Sequence, residues 1–353
     1  MSANPVQYAM IVRKSLFSLL LFTIVFYNNM EAEAQKRIKF PAAYVVNGGS
    51  NTISVIDLKT LKVRKTIQLP NTDCLPHHIS LSSDRKKILV AMPEFDFTQS
   101  HNLLHQATDK KGGVIAIDAQ TGKVLLNLSL PKPNFNAVFS NDNTEIWSAA
   151  ATHSGQMHVF DANTGVQKAI FSLGADPTQI IFSKDGSHAF VALEESSFIL
   201  ALDTRLKQIK KYIKVDPFPT NVWAGNNGNI YVENKNLKAI AIVNESTMET
   251  YEFVDINFKP GQIAYNQLLN ELWVCQAEDN KVTYFERKNN AWVLKSTIET
   301  GQDAYAITFA KDEKTAYVVN RKENTVSVID VTKHQKMTDI PMGTLPNGIV
   351  LRE

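Results

Sequence analysis

Seven imperfect copies of a unit of about 42 residues run through this chain, and a repeat of that length confines it to a stacked or circular array. Three columns recur. The first is a large residue inside a short strand: Tyr44, Leu89, Trp147, Phe190, Tyr231, Trp273 and Tyr317. The second is mostly an acid that ends the next strand: Asp57, Asp118, Asp161, Asp203, Asn244, Glu286 and Asp330. The step between them is 13 residues from Tyr44, Phe190, Tyr231, Trp273 and Tyr317, 14 from Trp147 and 29 from Leu89. A third column opens each unit as P-x-x-I-x-L, seen in Pro76-His77-His78-Ile79-Ser80-Leu81 and Pro260-Gly261-Gln262-Ile263-Ala264-Tyr265.

Apolar residues alternate at period two within each unit, with turn signals every 8–12 residues, so each unit reads as four short strands. Ser-x-Asp turns, as at Ser183-Lys184-Asp185, join the first strand to the second. The acid column opens the turn after the third, where an Asp or Asn bonds its own backbone two residues on. These carboxylates are therefore turn formers and not catalysts. The first unit enters at Ala43-Tyr44-Val45-Val46 without an opening strand, and Pro346-Asn347-Gly348-Ile349-Val350-Leu351 is an opening strand with no unit after it. Each end supplies what the other lacks. The expected fold is all-β, a seven-bladed propeller of four-stranded blades, its ring closed by strands from the two ends sharing one blade.

Residues 1–34 stand outside the repeat. Arg13 and Lys14 precede an apolar run from Leu16 to Phe26, and Ala32-Glu33-Ala34 offers the spacing that a signal peptidase reads. The run is shorter than the roughly 20 residues that a spanning helix needs. The expected organisation is a leader over 1–34 and a propeller over 35–353. Removing the leader takes away two basic and two acidic residues and leaves the formal charge of +2 unchanged. That balance offers no field for nucleic acid or an anionic membrane. Cys74 and Cys275 lie far apart in the array, and Cys275, in Leu272-Trp273-Val274-Cys275, reads as a small buried hydrophobe.

Two stretches resemble the YVTN repeat: Tyr44-Val45-Val46-Asn47 with Asn51-Thr52-Ile53-Ser54-Val55-Ile56-Asp57, and the copy Tyr317-Val318-Val319-Asn320 with Asn324-Thr325-Val326-Ser327-Val328-Ile329-Asp330. The resemblance covers essentially all of 35–353 and is strongest in the first and last units. It implies an exported seven-bladed propeller of a bacterial or archaeal envelope, periplasmic or secreted. It does not imply one activity, because similar propellers include ligand binders, surface-layer and DNA-binding proteins, haem d1 proteins and lyases. C-x-x-C-H, G-x-S-x-G and H-E-x-x-H are all absent from the sequence.

Residues that follow each opening proline line one rim of a propeller. Here they include His77, His78, Asn134, Gln179, Asn221, Gln262, Tyr305 and Asn347, a polar and mostly uncharged set suited to hydrogen-bonding a ligand. Six of the eight histidines fall in the second and third units, and the 29-residue step marks an insertion at about 93–112 that carries His101 and His105. If 100–111 turns helical, His101 and His105 share a side. His77, His78, His101 and His105 are the candidate metal ligands, for Zn or Cu, with Cys74 in reach as a thiolate. The leading expectation is a non-enzymatic, monomeric binding or scaffold module whose partner is a small molecule or an envelope protein. The alternatives are a metal-assisted, lyase-like enzyme and a haem d1 or redox accessory propeller with a rim histidine as axial ligand. Processing provides the first test: mass spectrometry of the exported protein should find a mature chain beginning at or near Gln35, and an intact Met1 would contradict the leader.

Overall fold

The computed structural model describes residues 37–353, apart from 71, 72, 98, 100, 107 and 175 and the side chains of 101 and 102. The expected leader, 1–34, lies outside the described residues. Phe40–Glu353 forms one unit. Its strands make seven four-stranded antiparallel sheets arranged as a seven-bladed β-propeller.

Blade one is ordered Pro346–Arg352, Ala42–Asn47, Thr52–Asp57, Lys62–Gln68, so its inner strand comes from the far end of the chain. The pairing runs from Ala42 opposite Arg352 through Val45 opposite Ile349. The other inner strands are His77–Leu81, Asn134–Phe139, Pro177–Phe182, Pro219–Ala224, Ile263–Asn266 and Ala304–Phe309. In each blade the later strands follow outward in chain order.

The repeated columns do what their chemistry suggests. Tyr44, Leu89, Trp147, Phe190, Tyr231 and Trp273 are fully buried, and Tyr317 nearly so. They build apolar layers between neighbouring blades. Phe190 and Ile199 of blade four pack with Val222, Val243 and Met248 of blade five, and Ala43 and Val45 of blade one with Tyr317 and Val326 of blade seven. The turn acids accept from the backbone ahead of them: Asn163 and Thr164 donate to Asp161 Oδ1 at 3.0 and 2.9 Å, and Arg205 and Leu206 donate to Asp203 at 3.0 and 2.7 Å. These backbone donors hold the Asp161 carboxyl below its ordinary range.

One irregularity matters for function. The inner strands of blades one, two, three, four, five and seven each slip register near their start, between Pro346 and Gly348, His77 and Ile79, Asn134 and Ala137, Pro177 and Ile180, Pro219 and Val222, and Ala304 and Ala306. A bulge leaves a residue out of the ladder and re-aims its neighbours. Residues just after the opening position thereby turn toward the channel. The insertion sits between Ala91 and Gly112, where the repeat arithmetic put it, and carries one short helix, His101–Gln106.

Closure makes the last strand essential. Deleting residues 346–353 removes a whole ladder and the packing of Ile349 and Leu351 against the blade seven layer. Two apolar side chains and an exposed strand edge together cost on the order of 5 kcal/mol. The truncated protein should melt about 7 °C below wild type in a calorimetric scan, and melting within two or three degrees would contradict the closure.

Candidate functional site

A pocket of about 500 Å³ opens at the channel mouth, lined by six of the seven inner strands, by Lys259–Gln262 just before the inner strand of blade six, and by the segment carrying Phe97. That size falls in the range of small-ligand sites. Four polar features define it.

The first is a pair of histidines that break the repeat. His77 is 2% exposed, and His78 adopts a left-handed backbone (φ 47°) at the blade-two bulge. His77 Nδ1 lies 3.2 Å from the Phe135 carbonyl oxygen, which can only accept, so Nδ1 carries the proton. His77 Nε2 then accepts from the Tyr305 hydroxyl at 3.0 Å. His78 Nδ1, 2.8 Å from His77 Nδ1, is also an acceptor, and its own proton sits on Nε2. Burial pushes His77 down to about 4 and His78 well below the usual histidine range, with the His77 charge adding to the second shift. Both rings are neutral at pH 7.

The second is Glu233, 1% exposed. It accepts from Asn221 Nδ2 at 3.0 Å and from Trp223 Nε1. Burial raises its carboxyl to about 7, against the lowering pull of Lys235 and these two donors. The third is Arg321, which meets Asp303 at 2.9 Å and lies over the Tyr305 ring at 4.8 Å. Burial also raises the Tyr305 hydroxyl.

The fourth is a set of amides. Asn221 directs its nitrogen to Glu233, and Asn347 directs Nδ2 to the Pro76 carbonyl at 2.9 Å; this leaves Asn221 Oδ1 and Asn347 Oδ1 buried with no hydrogen-bond partner. Gln179 Oε1 is buried in the same condition. The contact from Asn347 needs Gly48, because a Cβ there would collide with the Asn347 amide.

Seven of the eight rim residues read from the sequence thus reach this mouth: His77 underlies it, and His78, Gln179, Asn221, Gln262, Tyr305 and Asn347 line it. Gln262 is tied down, its Oε1 accepting from Ile307 N at 3.0 Å. Asn134 has a structural place instead. It is fully buried, and its amide bridges the Gly113 backbone in both directions at 3.0 Å and donates to Ser148 Oγ at 2.9 Å.

The four histidines proposed as metal ligands are divided. His77 and His78 face each other at the mouth, whereas His105 meets His153, Asp176 and Glu195. The side chain of His101 lies outside the described residues, and Cys74 and Cys275 are free thiols. Phe97, Phe135, Trp223, Glu233 and Arg321 were not singled out by the pattern. Glu233 had a signal: its column is otherwise Val46, Ala91, Ala149, Ala192, Cys275 and Val319, and a lone carboxylate among those is conspicuous.

Fold and site together define a seven-bladed propeller with a ligand-sized pocket at one mouth of its channel. The chain belongs to the choice-of-anchor I domain family, whose model matches residues 54–239. It is similar in structure to a periplasmic gluconolactonase of Pseudomonas aeruginosa (12% identity, 89% of this chain and 99% of that one, TM-score 0.70). It is also similar to a functionally unknown protein from Desulfotomaculum acetoxidans (14%, 88% and 98%, 0.69) and to a dihydro-haem d1 dehydrogenase (11%, 88% and 74%, 0.62). At such identities the likeness is one of fold. The curated proteins contain no significant match. No helix among the described residues is long and apolar enough to cross a membrane.

Glu233 gives the pocket a pH signature. Below about pH 4.5 folded and unfolded chains both hold its proton, and between about 4.5 and 7 only the folded chain does. Stability from this group therefore falls as pH rises through that window, by about 3 kcal/mol in all. Urea unfolding of Glu233→Gln should show the variant gaining about that much on wild type between about pH 4.5 and 8. A difference independent of pH would contradict the raised carboxyl.

Proposed function

We propose that the protein is an exported binding module of the cell envelope whose channel mouth holds a small, neutral molecule rich in hydroxyl groups. The observation that carries this reading is the trio of buried amide oxygens, Gln179 Oε1, Asn221 Oδ1 and Asn347 Oδ1, from three blades around one cavity. A buried acceptor left without a donor costs about 1–3 kcal/mol. A ligand hydroxyl relieves that cost after a small rotation of the amide. Trp223, Phe135 and Tyr305 add flat apolar faces beside these acceptors, the complement of a ring with C–H faces and O–H edges.

Charge supports a neutral ligand. Of the three cations that line the pocket, Arg321 is paired with Asp303 and Lys259 with Glu278 at 3.0 Å, and Lys235 shares the lining with the carboxylates Glu194 and Glu233. Similarity to a periplasmic gluconolactonase agrees with this chemical class and with an envelope location. A second reading is enzymatic and rests on Glu233. A buried carboxyl poised near neutrality in a cleft is suited to proton transfer.

Calorimetric titration with neutral mono- and disaccharides, polyols and glucono-1,5-lactone tests both readings. At least one of these should bind with a Kd below about 1 mM, and Asn221→Ala or Gln179→Ala should weaken it about three- to tenfold without changing the fold. Failure of the whole panel, or preference for a phosphorylated sugar, would overturn the binding reading. Turnover of the lactone that disappears in Glu233→Gln while binding persists would establish the enzymatic one.

A further inference from the structure

Away from the pocket floor, four potential ligand groups converge from four separate segments. They are His105 on the insertion helix, His153 in the loop after Glu145–Ala150, Asp176 just before Pro177–Phe182, and Glu195 in the loop after His188–Leu193. One nitrogen or oxygen from each lies within 4.8 Å of all the others. The closest approaches are His105 Nε2 to Asp176 Oδ2 at 3.5 Å and to Glu195 Oε1 at 3.7 Å, and His153 Nδ1 to Asp176 Oδ2 at 3.2 Å and to Glu195 Oε2 at 2.8 Å. Tetrahedral coordination with bonds of about 2.1 Å separates its ligand atoms by about 3.4 Å. The four closest contacts lie around that edge, and the full set with one atom from each residue lies within 4.8 Å.

We infer that His105, His153, Asp176 and Glu195 form a binding site for a divalent transition-metal ion, with zinc as the reference case. Two imidazoles beside two carboxylates suit zinc and its first-row neighbours, and the imidazoles count against calcium or magnesium, which take oxygen ligands. One ligand of the four is fixed by the framework. Asp176 is 1% exposed and held by its backbone, its N–H donating to the Thr152 carbonyl at 2.8 Å and its carbonyl accepting from Glu194 at 3.0 Å. The His105 and His153 rings lie face to face, 3.7 Å apart and 8° from parallel, so one ring must tilt for both in-plane nitrogen lone pairs to meet on one ion. Two carboxylates beside two imidazoles offer a cation both charge and ligand atoms.

The site also has a structural consequence. The insertion is anchored to blade three by a small apolar cluster of Phe95, Leu104 and Ala151, against which Phe97 packs. Phe97 in turn touches His77 and Phe135 at ring distances of 5.7 and 5.3 Å. A metal held by His105 and the loops of blades three and four pins this insertion beside the ligand pocket. Glu194, the neighbour of Glu195, lines that pocket. The inference stands on its own geometry and does not depend on the ligand proposed for the mouth.

The test is calorimetric titration of the full mature chain, stripped with chelator, with Zn²⁺, Co²⁺ and Ca²⁺. One Zn²⁺ should bind per chain with a Kd below about 1 µM, Co²⁺ should develop the visible bands of a tetrahedral site, and Ca²⁺ should bind at least 100-fold more weakly than Zn²⁺. His105→Ala and His153→Ala should each weaken Zn²⁺ at least 100-fold while the metal-free variants melt close to metal-free wild type. His188→Ala, in blade four but outside the group, should bind as wild type does. Zn²⁺ binding weaker than tens of micromolar in wild type would overturn the site and leave an ion-pair network. Tight binding that survives both histidine variants would overturn it equally, by placing the metal elsewhere.

Discussion

The pairing of the last strand with the first is the constraint on which the rest of this molecule depends. A propeller blade cannot bury both of its faces alone. Each face is covered by a neighbour, as Phe190 of blade four meets Val222 of blade five. A ring distributes that dependence evenly only if it closes, and here it closes through Pro346–Arg352 laid against Ala42–Asn47. Closure is also what completes the channel mouth. Blade one contributes to the pocket through Asn347, Gly348 and Ile349, all from the closing strand. The link from fold to site is direct: the same seven-residue strand covers an apolar layer and supplies an amide to the cavity.

Within that frame, the site lies where the repeat is broken. Regular positions of the inner strands are apolar and face neighbouring blades, while the bulges turn a few residues inward. At those few places polar groups are buried at a cost. His77 and His78 are held neutral by burial, Glu233 keeps its proton to near neutrality, and three amide oxygens lack donors. Burying such groups without full compensation is destabilising, and tolerated departures of this kind gather at functional sites. The layers between blades supply the stability against which these local costs are set.

How much of this was legible in the sequence follows from which features are periodic. The blade count, the turn acids, the closing strand and the position of the insertion each recur or interrupt a recurrence. The rim residues were legible for the same reason, since the opening position, proline in each copy but Ala304, fixes their place. Asn134 shows the limit: it occupies the rim position, but Gly112 leaves room for its amide to close on the Gly113 backbone, where it is absorbed. The histidines show another. Repeat register places His77 and His78 at the channel, but it carries no information on which way a helix inside an insertion faces. His105 turns to blades three and four and finds Asp176 and Glu195, which no column marks. Family resemblance extends the reading less far than the residues do, since the family that the chain belongs to is matched over 54–239 and does not fix a ligand.

Hydrogen exchange of the intact protein, followed by mass spectrometry, addresses the central claim most directly, because it reports whether the closing strand opens alone or only with the whole ring. If closure is the constraint described here, peptides covering residues 346–352 should exchange as slowly as those covering the buried strand Glu271–Gln276, since both are released only by global unfolding. Exchange of 346–352 on the timescale of the exposed turns, with the remaining blades still protected, would contradict that account and show a ring that stands without its last strand.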